Sequence, residues 1–180
     1  MALATGSYPL GPDNASLQVK TYREGVAAKV GHDLVIDVTR WSATLAVAPD
    51  AAGSSVELSA DSRSLVVREG VRGVKPLSDR DRAEILRNIE DKVLHGQPIE
   101  FRSTSVAEGG GGLAVEGELT MAGSTRPVSA RLDVAADGRV AGTIPLTQSD
   151  WGIKPYRGLM GALKVRDDLE IVVEARVPAS

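Results

Sequence analysis

A chain of 180 residues, 42% of them hydrophobic, is long enough to bury roughly 70% of its unfolded surface around one core. Its 21 basic and 24 acidic residues leave a net charge of −3, which gives no bulk attraction for nucleic acid, and one Phe, three Tyr and two Trp are too few for base-stacking platforms. The lack of any cysteine removes disulfides, thiolate nucleophiles and Cys-ligated zinc together, and no stretch reaches the roughly 20 apolar residues of a membrane-spanning helix.

Residues 1–15, punctuated by Gly6, Pro9, Gly11, Pro12 and Asn14, read as an irregular lead-in, and residues 16–180 as one domain. Met1 to Leu10 shows neither the basic nor the apolar region of a secretory leader, so the expected location is cytoplasmic. Leu17 and Val19 share one face of a first strand, and Gly25 to Val30 is a short apolar continuation ending at Gly31. Leu34, Ile36 and Val38 then alternate with Val35, Asp37 and Thr39. Trp41, Ala43, Leu45 and Val47 carry the alternation on with a register change near Arg40, which predicts a β-bulge or a strand bend. After a hairpin loop at Pro49 to Ser54, Val56, Leu58 and Ala60 resume the strand period.

One segment breaks that period. Ser78-Asp79-Arg80-Asp81 matches a capping box, in which the Ser hydroxyl and the acid three residues on each satisfy a free N–H at the helix start. Ile85, Ile89 and Val93 follow at four-residue spacing, predicting an amphipathic helix over 79–95 that Gly96 and Pro98 stop. Such a helix needs an apolar surface, so it is expected to cover one end or flank of a sheet.

Ile99 to Val106 returns to strand, and Gly109 to Gly112 is expected to be a hairpin tip. A meander follows. Leu113, Val115, Gly117, Leu119 and Met121 share one face, then Val128, Ala130, Leu132 and Val134, then Val140, Gly142, Ile144 and Leu146. Asp137-Gly138 between the last two runs predicts a type I′ hairpin turn. Ser149 to Asp167 is long, apolar and aperiodic, a rare combination unless the loop is functional. Leu169, Ile171, Val173, Ala175 and Val177 close the chain as a strand. The elements sum to a mainly β protein, an antiparallel β-barrel of about eight strands with one main α-helix between the middle strands.

Catalytic constellations are scarce. His32 and His95 are the two near-neutral bases, and His95 belongs to the end of the helix. His32 and Asp33 are adjacent at a turn, but neighbours entering a strand point to opposite faces. His32 is therefore expected to make a structural hydrogen bond, with contact to a ligand as its candidate polar role. No His pair has metal-ligand spacing, Gly109 to Gly112 lacks the Lys-Ser/Thr of a phosphate loop, and no Gly-x-Ser-x-Gly elbow occurs. No catalytic residue, metal or cofactor is expected. What remains is a barrel whose inward face is rich in Val, Ala, Gly, Thr and Leu. Small linings leave space, and an apolar cavity suits an aliphatic chain with its polar end at the mouth.

Three stretches resemble the YceI-like family, lipocalin-like barrels associated with polyisoprenoids and other amphiphilic lipids. They are Lys29 to Leu34, Pro98 to Ser103, and Val115 to Gly123 followed by Thr125-Arg126-Pro127-Val128, with Asp150 to Ile153 and the closing strand from Asp167 to Glu174 in the expected order. The resemblance implies a lipocalin-like barrel with a helix between the middle strands and a hydrophobic tunnel for a long isoprenoid chain. The expected function is thus non-enzymatic binding of an isoprenoid or fatty-chain lipid, for transport, storage or sequestration. Trp41, Phe101, Gly117, Leu119, Met121, Ile144, Trp151, Tyr156 and Met160 are the candidate ligand contacts, and His32 the candidate polar one. Two other readings stay open: an enzyme or metal protein organised on His32, and a homodimer joined through a barrel flank or through loop 149–167.

Overall fold

The computed structural model describes residues 3–180. Its strands, in chain order, are β1 (Gly6–Leu10), β2 (Ala15–Thr21), β3 (Arg23–Glu24), β4 (Asp33–Val38), β5 (Trp41–Val47), β6 (Ser55–Ala60) and β7 (Leu65–Val71). Helix α1 (Asp79–Ile89) comes next, then β8 (Ile99–Gly109), β9 (Gly112–Met121), β10 (Ser124–Val134), β11 (Arg139–Thr147), β12 (Arg157–Gly158), β13 (Leu163–Val165) and β14 (Asp168–Arg176).

Eleven strands form one antiparallel sheet in the order β1-β5-β6-β8-β9-β10-β11-β14-β2-β4-β7, curled into a half-barrel, and β12, β13 and β3 form a second, small sheet. The count exceeds the expected eight or so for two reasons. First, two long bent runs are each split in two: Thr39 and Arg40 separate β4 from β5, and residues 61–64 separate β6 from β7. The two runs pair with each other on both sides of the break, β5 with β6 and β4 with β7. At the break, the Thr39 N–H and hydroxyl both donate to the Ser64 carbonyl, at 2.9 and 2.7 Å, and the Asp61 N–H donates to the Arg40 carbonyl at 3.0 Å. The register change legible near Arg40 is this bend. Second, the expected irregular lead-in contains β1, paired with β5 from Gly6↔Val47 to Leu10↔Ala43; Met1 and Ala2 lie outside the described residues.

Turn chemistry corrects a second expectation. The tips at Gly110-Gly111 and Ala122-Gly123 have both central residues at positive φ, as a type I′ hairpin requires. At Asp137-Gly138, Gly138 alone is at positive φ, 81°. The Ala135 N–H donates to the Arg139 carbonyl and the Gly138 N–H to the Ala135 carbonyl, which makes this a longer turn closed by one left-handed glycine rather than a type I′ turn. The loop holds three residues, 136–138, rather than two, and its left-handed position must be glycine because a Cβ on Gly138 would collide with the Val177 carbonyl oxygen.

The capping box of α1 is complete. The Asp81 N–H donates to Ser78 Oγ at 3.1 Å, and the Ser78 N–H donates to Asp81 Oδ2 at 2.9 Å. The α-helix ends at Ile89, short of 95, because Glu90–Leu94 winds as a π turn whose end is a 2.7 Å bond from the His95 N–H to the Glu90 carbonyl. His95 is left-handed at φ 52°, so its role is to end the helix. The expected continuation over 25–30 is a single 3₁₀ turn at Ala28–Val30.

Candidate functional site

The pairing register places apolar side chains in rows across the inner face, because residues directly opposite each other share a side of the sheet. One row runs Leu10, Ala43, Leu58, Phe101 and Leu119 across β1, β5, β6, β8 and β9. Another runs Ile144, Ile171, Val19 and Ile36 across β11, β14, β2 and β4. Between these rows lies a cavity of about 910 Å³, lined by residues of both. Along β11 its wall extends from Val140 to Leu146, about 20 Å of strand at ~3.3 Å per residue.

The two ends differ. At one end Leu3, Val47, Val140 and Val177 form a buried cluster with Tyr8, Leu10 and Leu45 against it, tied by the Ala4 N–H to the Pro178 carbonyl and the Tyr8 hydroxyl to the Ala4 carbonyl. Strand β1 therefore floors the barrel. At the other end α1 lies over the opening with Ile85 and Ile89 turned to the cavity, and Val93 and Leu94 follow on the π turn. The predicted apolar stripe thus faces the cavity. Most polar groups of the lining gather at this end, among them His32, Lys75, Asp81, Glu84, Asn88 and Lys164, while Ser16 and Glu174, opposite each other on β2 and β14, lie toward the floor.

Of the residues predicted from sequence, Trp41, Phe101, Leu119, Met121, Ile144, Tyr156 and His32 line this cavity. Three do not. Gly117 lies behind the Phe101 ring, whose Cζ would be 2.4 Å from a Cβ at that position; its contribution is to leave room for the ring. Trp151 is 3% exposed, packed with Leu94, Met121, Val128, Leu146 and Ile153, and its indole N–H donates to the Leu119 carbonyl at 2.9 Å. It fastens the wall from outside the cavity. Met160 is left-handed at φ 57° and fully exposed on the rim.

His32 and Asp33 part at the mouth. The His32 ring bonds through Nε2 to the Lys75 carbonyl and lies against Gly73, where a Cβ would meet the ring at 2.1 Å. Asp33 turns away and is buried, accepting the Arg23 N–H at 2.9 Å with the Arg72 guanidinium 3.4 Å from its other oxygen. Arg23 also donates to the Gly31 and Arg72 carbonyls. A buried carboxylate is tolerable when so paired, and this one knots the three chain segments of the mouth. Nearby, the Tyr22 hydroxyl donates to Glu170 at 2.9 Å; burial first, then the carboxylate, pushes the phenol above its ordinary range. Among the described residues no group of three or more His, Asp or Glu is placed to hold a metal ion.

Sequence reasoning missed much of the mouth. Loop 149–167 contains β12 and β13, which pair with each other, and β13 pairs with β3. Leu77, Leu163 and Val165 also line the opening. Strands of two or three residues leave too short an alternation to detect, and β7 was hidden because Arg68 is an extra residue opposite the Val35–Ile36 step.

A family model for the YceI-like domain matches residues 8–177. The chain belongs to the YceI-like family. Solved structures with the same fold include Burkholderia cenocepacia BcnA, with a TM-score of 0.66 at 17% identity, covering 89% of this chain and 94% of that one. The Campylobacter jejuni YCEI protein, crystallised with large solvent channels, gives 0.58 at 13% identity over 81% and 84%. No curated protein sequence matches this YceI-like chain. Among the described residues no helix is long and apolar enough to cross a membrane.

Proposed function

We propose that this YceI-like protein binds an isoprenoid or fatty-chain amphiphile in its barrel, without catalysis, with the chain running toward the β1 floor and the polar end among the groups at the α1 mouth. The carrying observation is the cavity: about 910 Å³, mostly apolar along its length, floored at one end and with most of its polar lining at the other. That volume is in the range of about 300–1,000 Å³ typical of small-molecule sites, and its shape matches a molecule with one polar end. The family resemblance points to the same ligand class. Trp41, Phe101, Leu119, Met121 and Ile144 would touch the chain, and Tyr156 and His32 its polar end. The alternative built on His32 chemistry has less support, because Nε2 is already engaged by the Lys75 carbonyl.

Native mass spectrometry of gently purified protein, followed by solvent extraction, is expected to release one amphiphile per chain. Protein that is consistently ligand-free and takes up no prenol or fatty acid from solution would overturn the proposal.

A further inference from the structure

The cavity mouth is also where the apolar surface of the molecule concentrates. Among the described residues eight large hydrophobic side chains are exposed, and all but Val66 lie on residues 22–33, 71–77 or 152–166. Val26 is 95% exposed, Val74 67%, Leu159 60% and Met160 fully. Hydrogen bonds hold the three stretches together as one face. The Ala27 N–H donates to the Ala162 carbonyl at 2.8 Å, the Val74 N–H to the Lys29 carbonyl at 3.3 Å, and Arg23 to the Arg72 carbonyl.

Charge concentrates there too. These stretches hold eight Lys or Arg against Glu24 and Asp33, leaving thirteen basic and twenty-two acidic residues elsewhere. A net −3 for the chain thus hides a basic face on an acidic body. Asp33 is buried between Arg23 and Arg72, Glu170 accepts the Tyr22 hydroxyl, and of the two acids that the adjoining helix turns to the mouth, Asp81 is held in its capping box and Glu84 faces the cavity. Among the described residues, Lys29, Lys75, Lys154, Arg157 and Lys164 form no ion pair.

We propose that this face docks on an anionic lipid bilayer, with Val26, Val74, Leu159 and Met160 entering the interface and the surrounding Lys and Arg side chains at the headgroup level. The pattern favours a bilayer over an acidic protein. The apolar side chains project from three separate loops, Val26 from one, Val74 from another, and Leu159 with Met160 from a third, so a rigid partner would need a matching pit for each loop, whereas lipid accommodates any outline. Basic side chains between apolar ones are the composition of interfacial anchors, and each adds about fivefold to partition onto an anionic surface. The docked face holds the cavity opening, so an amphiphile could pass between bilayer and barrel without crossing water.

Sedimentation of the full chain with phosphatidylcholine vesicles, with and without about one-third phosphatidylglycerol, tests this at about 0.05 and 0.5 M salt, where screening lengths differ about threefold. Binding is expected on the anionic vesicles and to weaken at high salt. Lys29→Glu with Arg157→Glu should lower partition at least tenfold, and Val26→Ser with Met160→Ser several-fold at low salt. None of these four residues lines the cavity, so native mass spectrometry should find cavity occupancy unchanged. No vesicle binding, equal binding to both compositions, or self-association that Met160→Ser abolishes would overturn docking. If vesicle binding persists in protein whose cavity never takes a lipid, the cavity reading fails and docking stands.

Discussion

At the residue scale, Gly117 and Trp151 act on the cavity without touching it. The Phe101 ring occupies the space a side chain at 117 would need, so Gly117→Val must displace the ring or bend β9. Overpacking of this kind costs about 1–3 kcal/mol, and the ring should move into the cavity. Urea unfolding should therefore show a lower midpoint and lipid uptake a reduced capacity; an unchanged midpoint would mean that the ring is free to move. Trp151 is different. Trp151→Phe keeps most of the packing but removes the indole donor to the Leu119 carbonyl, a loss of about 0.5–1.5 kcal/mol, whereas Trp151→Ala also opens a hole and should lose about 3–5 kcal/mol. That ordering, read from denaturation midpoints, separates the bond from the packing. Alternation in sequence correctly put Leu119, Met121 and Ile144 on the inner face. It could not separate Gly117 from them, because period-two patterning reports which side a residue is on and not what lies over it.

At the element scale, the barrel depends on the bend where β4 passes into β5 beside the turn from β6 to β7. Asp61 holds this joint: its carboxylate accepts the Arg63 N–H at 2.8 Å and the Arg40 guanidinium at 2.8 and 3.1 Å. The backbone bond first, then the guanidinium, keeps its pKa below the ordinary carboxylate range. Asp81 in the capping box and Asp137 in the β10–β11 turn are lowered in the same way, each chiefly by a backbone N–H. A carboxylate lowered on folding contributes stability above its unfolded value, about 3.9 for Asp, and loses it as pH falls through the lower folded value. The melting temperature should therefore decline on acidification below about pH 4. Asp61→Asn should start lower at neutral pH and decline less steeply, and a parallel decline would show that Asp61 does not take part. The sequence disclosed the capping box because both partners lie within four residues. The joint stayed hidden because Arg40 and Asp61 are 21 residues apart, and only the register change at Arg40 hinted at it.

At the scale of the whole molecule, the fold class was legible because each long strand repeats its own alternation, while the floor and the mouth were not. Strand β1 has Pro9 as the fourth of its five residues, opposite Thr44, where an edge position tolerates the missing donor but composition reads as loop. The basic face arises from three stretches distant in sequence, so no local charge run marks it. Whether the central space is open or filled is likewise beyond periodicity, and one substitution decides it. Ala43 stands in the inner row between Leu10 and Leu58 and lines the cavity. In a filled interior, Ala43→Phe would cost about 1–3 kcal/mol in strain. In an open cavity the ring has room, so the unfolding midpoint should stay within the small shifts of a tolerated core change, while the volume left for a ligand falls. Lipid extracted from the variant should then be shorter than lipid from the parent protein, because the ring takes up part of the cavity's length. Strong destabilisation with the ligand profile unchanged would show that the interior is packed and that the amphiphile, if any, binds elsewhere.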